Sequence, residues 1–265
     1  MSGWAAVGVG AVLAGGYALA WWARPASLPR WSGARTAAWL AGVVAVVVAL
    51  SPPLTDLAHH DHRFHMATHL LLGMYAPLGL VLGAPVTLAL GSLPRRGRRV
   101  LTGVLRSPPV HVLSHPVPAA VLNVGGMVVL YLTPLYGLSM ARPEVHALVM
   151  AHFLLAGCLY TWAIAGPDPA PRRPGMATRT TVLVAAAGAH AFLAKLLYAR
   201  AGEVAAGHGD PASMEAGAQW MYYGGDVAEL ALAVMLFAWW YRRRRPEVAP
   251  RASAAPTPGV PASSP

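Results

Sequence analysis

The chain reads as an all-α, polytopic membrane helix bundle of about seven transmembrane helices, with its N-terminus outside and its C-terminus cytoplasmic. Three observations predict this. Composition is the first: 56% of the 265 residues are hydrophobic and 11% are charged, with a mean hydropathy of +0.48, against roughly 25% charge in soluble domains. The second is spacing. Apolar stretches recur at about 4–22, 36–51, 64–90, 117–136, 145–165, 178–199 and 217–241, each near the ~20 residues that carry a helix across hydrocarbon. The third is arginine. Sixteen of the twenty basic residues fall between spans 1 and 2, 3 and 4, 5 and 6, or after span 7. The positive-inside rule makes that side cytoplasmic.

Taken in order, span 1 has no basic lead. Its first arginine, Arg24, follows about nineteen apolar residues, longer than the apolar core of a signal peptide. Arg24, Arg30 and Arg35 separate it from span 2, the shortest. Span 3 is entered through a histidine run and is followed by Arg95, Arg96, Arg98, Arg99 and Arg106. Span 4 carries His111 and His115 at its arginine-rich end. Span 5 holds the single cysteine, Cys158; one thiol makes neither an internal disulfide nor a CxxC site, so it is read as small apolar packing. Arg172, Arg173 and Arg179 lead into span 6, which contains the only lysine, Lys195. A loop at 200–216 with His208, Asp210 and Pro211 precedes span 7, and Arg242–Arg245 close it. The bundle is thus expected over 1–245. The segment 246–265, rich in Pro, Ala and Ser, is expected to be a disordered cytoplasmic tail. The net charge of +10 follows from these loops. It implies anionic lipid headgroups of the bilayer as its counterpart and no nucleic acid.

Candidate chemistry concentrates at one membrane edge. Five of the eleven histidines lie in the eleven residues His59-His60-Asp61-His62-Arg63-Phe64-His65-Met66-Ala67-Thr68-His69. Imidazoles at hydrocarbon depth are costly and point to a site. His65 and His69 are i and i+4, hence on one helical face, and His62 extends it. With the topology above, His146 and His152 of span 5, His190 of span 6 and Asp226 and Glu229 of span 7 share the outer half of the membrane, with His146 at the mouth of its span. His111 and His115 do not. The expected metal ligands are His65, His69, His152 and His190, with His62, Met66 and Asp226 as additional members. Asp226 either orients a ligand or pairs with Lys195, with Glu229 as its reserve. Imidazole suits Zn, Cu, Fe and Ni, and the nearby thioethers of Met66 and Met74 add a preference for Cu(I). Two other uses remain open: a haem held by facing histidines, and a proton or metal-ion path. A retinal protein is set aside, because its lysine belongs in the last span and Lys195 is in the sixth.

The run HMATHLLLGMYAPLGLVLGAP, residues 65–85, resembles the signature of the multi-span CtaG family of cytochrome c oxidase assembly factors. The likeness continues through His115-Pro116, YLTPLY at 131–136, His152, Trp162, Gly166-Pro167-Asp168-Pro169, His190-Ala191-Phe192-Leu193 and Gly225-Asp226. It departs in the last span, where an acidic residue with paired glutamines is expected and this chain has Glu215 and Gln219. The resemblance implies a non-enzymatic membrane assembly factor for a haem–copper oxidase, handling copper for its CuA or CuB centre. It implies oxidase subunits as partners, with an extracytoplasmic copper chaperone as a further one. Arginine outnumbers lysine nineteen to one, which suggests a GC-rich bacterial genome and hence a multi-pass protein of the bacterial plasma membrane.

Overall fold

A computed structural model describes residues 3–170, 173–204 and 210–244. The expected tail, Arg245 and His208 lie outside the described residues. Within them the chain is all-helical. Six helices are long and apolar enough to cross a membrane, or seven if one bent pair counts as a span. They are α1 (Gly3–Trp22), α2 (Gly33–Leu50), a composite third span over His62–Ser92, the bent pair α9 (Pro116–Leu132) and α10 (Leu135–Ala141), α11 (Pro143–Ala165), α12 (Met176–Ala199) and α14 (Pro211–Arg244). Short helices α3 (Pro52–His60), α7 (Arg95–Leu105), α8 (Pro108–Leu113) and α13 (Ala201–Val204) lie in the connections. The protein is therefore multi-pass, with its spans close to the expected positions.

The third span differs from the straight helix expected over 64–90, and proline is the reason. It consists of α4 (His62–Leu70), a π-helical turn Leu71–Tyr75, α5 (Ala76–Leu82) and α6 (Pro85–Ser92). Pro77 has no N–H to return to the preceding turn, and the ladder widens there, with the Ala76 N–H bonding to Leu71 O. Single π turns of this kind interrupt helices at functional sites. A second break precedes Pro85, where Ala84 takes a left-handed φ of 51°. Asp168 stabilises the restart: its carboxylate accepts from Val86 N at 3.1 Å and Thr87 N at 2.7 Å. Those are the orphan donors of the new helix.

The fourth span bends by 80° between α9 and α10. Thr133 precedes Pro134 and is pushed into extended backbone (φ −130°, ψ 169°), as residues before proline are. The bend turns α10 across the histidine-bearing end and buries Tyr136 there.

The third span is central. α4 packs on α14, α5 on α2 and α11, and the π turn on α11 and α2; α9 packs on α11 and α12, and α1 on α2. Lipid tails are as apolar as leucine, so close van der Waals fit must supply the cohesion. Against backbone it is tightest at Gly157 of α11, where a Cβ would stand 2.2 Å from Gly73 O and 2.7 Å from Pro77 Cγ. Arg35, Arg173 and Arg179 line one cleft with Trp239 and Trp240, away from the His62–His69 cluster. There Arg179 is buried, donates to Ile164 O at 3.0 Å and lies 4.5 Å from the Trp239 ring.

Candidate metal site

The histidine run divides at Asp61. His60 is exposed on α3, and the His59 side chain is outside the described residues. Asp61 has extended backbone and caps α4, accepting from Arg63 N at 2.8 Å and from Arg63 Nε at 2.9 Å. The Arg63 hydrogen bond holds the Asp61 carboxyl below its ordinary value of 3.8. This cap is therefore intact above that pH and is lost as pH falls through the lowered value. It fixes where α4 begins, and so which face the next three histidines share.

All three are buried. His62 places Nδ1 2.9 Å from Ser213 Oγ on α14. His65 and His69 touch: their Nε2 atoms are 2.8 Å apart, one donating to the other. An aromatic collar surrounds the pair. Tyr136 lies 5.5 Å from the His65 ring, Phe153 lies 4.8 Å and Tyr131 6.1 Å from the His69 ring. Met66, 1% exposed, accepts from Tyr131 Oη at 3.1 Å.

Three expectations are corrected here. His152 does not join the cluster. It is exposed at the α9–α11 crossing, with Nε2 3.0 Å from Leu122 O. His146 of the same helix approaches instead, 6.1 Å from the His65 ring. His146 stands seven residues before Phe153, which touches His69, so the two share a face; His152 is turned by about 100°. Sequence position put both in the outer half of span 5, with His146 at its mouth; helical phase separates them.

Asp226 is likewise displaced. It is exposed on α14 and has no ion pair among the described residues, while Lys195 lies over the Tyr222 ring at 5.2 Å. The acidic neighbour of the site is Glu229, whose Oε1 is 3.4 Å from His190 Nδ1. The inward stripe of α14 runs through Ala218, Met221, Gly225, Ala228, Leu232 and Leu236. Glu229 borders it, whereas Asp226 is one residue past Gly225 and faces away. Gly225 is required by contact, since a Cβ there would lie 2.0 Å from His190 Cε1.

The four expected ligands thus do not form one shell. Among the described residues no group of three or more His, Cys, Asp or Glu converges on a point. What does form is a row from His65 to His69, across a cavity of about 10 Å³ lined by His69, His190, Met66, Met74, Met127 and Met221, and on to Glu229. A second cavity of about 20 Å³ shares Met74, Asn123, Met127 and His190 and is lined by Glu229. His69 Nδ1 and His190 Nε2 are buried without a hydrogen-bond partner among the described residues. Such orphans cost about 1–3 kcal/mol each unless a partner satisfies them. Sequence reasoning missed Tyr131, Tyr136, Met127, Met221 and Glu229 as members. Helical phase on spans 5 and 7 was a usable signal for His146 and Glu229. No local signal marks the two methionines.

The profile of a family described as cytochrome c oxidase caa3 assembly factor (Caa3_CtaG) matches residues 15–243. An uncharacterised protein of Mycobacterium bovis is 39% identical over 190 residues, covering 69% of this chain and 29% of that protein. One of Mycobacterium tuberculosis gives the same figures. One of Mycobacterium leprae is 39% identical over 169 residues, covering 61% of this chain and 26% of the relative. The chain therefore spans less than a third of the length of these relatives. No solved structure matches it.

Proposed function

Because the chain belongs to the family of cytochrome c oxidase caa3 assembly factors, we propose that it acts without turnover of its own, presenting copper as cargo to the maturing oxidase. The observation that carries the reading is the buried His65–His69 pair, Nε2 to Nε2 at 2.8 Å, opening onto a thioether-lined cavity. Two imidazoles with soft sulfur behind them suit copper better than Mg or Ca, which take oxygen cages. Among the described residues no set of three or more histidine, cysteine or carboxylate ligands closes around it, so the pair suits an ion held briefly and passed on, since structural metal sites are closed by four ligands. The partners on this reading are oxidase subunits bearing CuA or CuB and an extracytoplasmic copper chaperone. The setting is the bacterial plasma membrane.

A haem between His69 and His190 fits poorly. Small-molecule pockets run to roughly 300–1,000 Å³, whereas the space between those histidines is about 10 Å³.

The reading requires the histidine end to face outward. A reporter joined after Arg245 should then be cytoplasmic, and one inserted at 203–212 external; the reverse result would put the histidines on the wrong side for an outer donor. The functional test is deletion. Cytochrome c oxidase activity should fall with oxidase transcripts unchanged, and excess external copper should restore part of it by mass action. Normal activity in a deletion strain without a second homologue would end the assembly reading.

A further inference from the structure

Ten methionines are distributed along the chain, and four of them, Met66, Met74, Met127 and Met221, meet at one cavity. They come from α4, the π turn, α9 and α14, so no single helical stripe explains their convergence. Methionine in a core ordinarily flexes to fill gaps. Here the gap persists among four such side chains and is about the size of one atom. Two imidazoles border it, and their remaining ring nitrogens, His69 Nδ1 and His190 Nε2, lack hydrogen-bond partners among the described residues. His69 is 8% and His190 1% exposed.

We propose that this chamber is a second metal station, binding one monovalent soft cation, Cu(I), through thioether sulfur and the His69 and His190 imidazoles. The proposal rests on the copper-handling reading for the identity of the metal, and adds a place, an oxidation state and a ligand set to it. Charge decides the oxidation state. Thioethers and imidazoles are neutral donors, and among the described residues Glu229 is the only acidic side chain lining either cavity. A monovalent cation leaves the smaller charge to be compensated in hydrocarbon. A divalent ion would leave an uncompensated charge, which is heavily penalised there. Softness points the same way, because thioethers select Cu(I). A water molecule is the competing occupant: about 10 Å³ just admits one, and Asn123 with the two imidazoles would be its polar partners; the four methionines, weak hydrogen-bond acceptors but good soft ligands, favour the cation. Sharing His69 between the entrance pair and the chamber gives a route: an ion held by His65 and His69 is passed inward by rotation of one imidazole.

The test uses the full chain in lipid nanodiscs, titrated with Cu(I) under reductant against a competing chelator, and with Zn(II) separately. Met→Leu changes keep volume and remove sulfur. The Met127→Leu, Met221→Leu protein should lose at least tenfold in Cu(I) affinity, and X-ray absorption at the copper edge should lose its sulfur shell. Zn(II) binding should change less than twofold, and the thermal midpoint should stay within a few degrees. His65→Ala should slow Cu(I) loading yet leave the sulfur shell at saturation. Unchanged Cu(I) affinity in the double Met variant, or a purely nitrogen and oxygen shell in the unmodified protein, would overturn the chamber and leave the entrance pair standing. No binding of any copper species by the unmodified protein would remove both. Folding of the variant is read independently from Zn(II) binding and the midpoint.

Discussion

Replacing His65 and His69 together with alanine should abolish delivery while the protein still accumulates in the membrane. Each imidazole is a donor in the proposed entrance, and the loss of both should lower copper affinity by on the order of 100-fold or more, since even outer supporting residues cost 10–100-fold when removed. The stability pattern should be unusual. Either single alanine strands a buried ring nitrogen whose partner sat at 2.8 Å, at about 1–3 kcal/mol. The double variant removes donor and acceptor together and strands neither of the paired nitrogens. The two changes should therefore be strongly non-additive in thermal midpoint and alike in lost oxidase activity. His111→Ala should leave copper binding intact. His115→Ala should do the same at a small stability cost, because His115 Nδ1 caps α9 by accepting from Val117 N at 3.3 Å. Equal copper losses at all four positions would show that folding, and not ligation, had been lost.

The second large effect is structural. Gly157→Val should prevent the bundle from forming in its native packing, because the new side chain would enter the backbone of the π turn, 2.2 Å from Gly73 O for its first carbon alone. Neither carbonyl nor Pro77 ring can swing aside, so α11 and the third span must separate. Overpacking of this kind costs about 1–3 kcal/mol and occasionally more; contact with rigid backbone puts this case at the upper end. Gly188→Ala, in open space on α12, should be neutral or stabilising by up to about 1 kcal/mol, as expected for removing glycine from a helix interior. The two are compared by thermal unfolding in one detergent. A Gly157→Val protein as stable as Gly188→Ala would mean the close crossing is not what holds α11 to the third span. The consequence for the site is direct, because His146 and Phe153 ride on the same face of α11 as Gly157. A displaced α11 should lose copper binding even with every histidine in place.

Much of the molecule was legible along the chain. Hydropathy located the spans to within a few residues, since a helix in lipid must satisfy its backbone internally and therefore declares itself as a long apolar run. The arginine asymmetry grouped the loops, and arginines of two of them, Arg35, Arg173 and Arg179, line one cleft. The i, i+4 spacing put His65 and His69 together, because neighbours on one helix are set by 3.6 residues per turn alone.

What lay beyond the sequence was every contact between helices. Depth in the membrane is a one-dimensional coordinate and admitted His146, His152, His190, Asp226 and Glu229 alike. Rotation about each helix axis excluded His152 and Asp226 and brought in His146 and Glu229. That rotation is set by packing, by the Gly157 crossing on α11 and by Gly225 against His190 on α14. The bend at Pro134 that carries Tyr136 over the site, and the convergence of Met66, Met74, Met127 and Met221, likewise depend on residues far apart in the chain. Local periodicity determines which side chains share a face; only the packed bundle determines what that face meets.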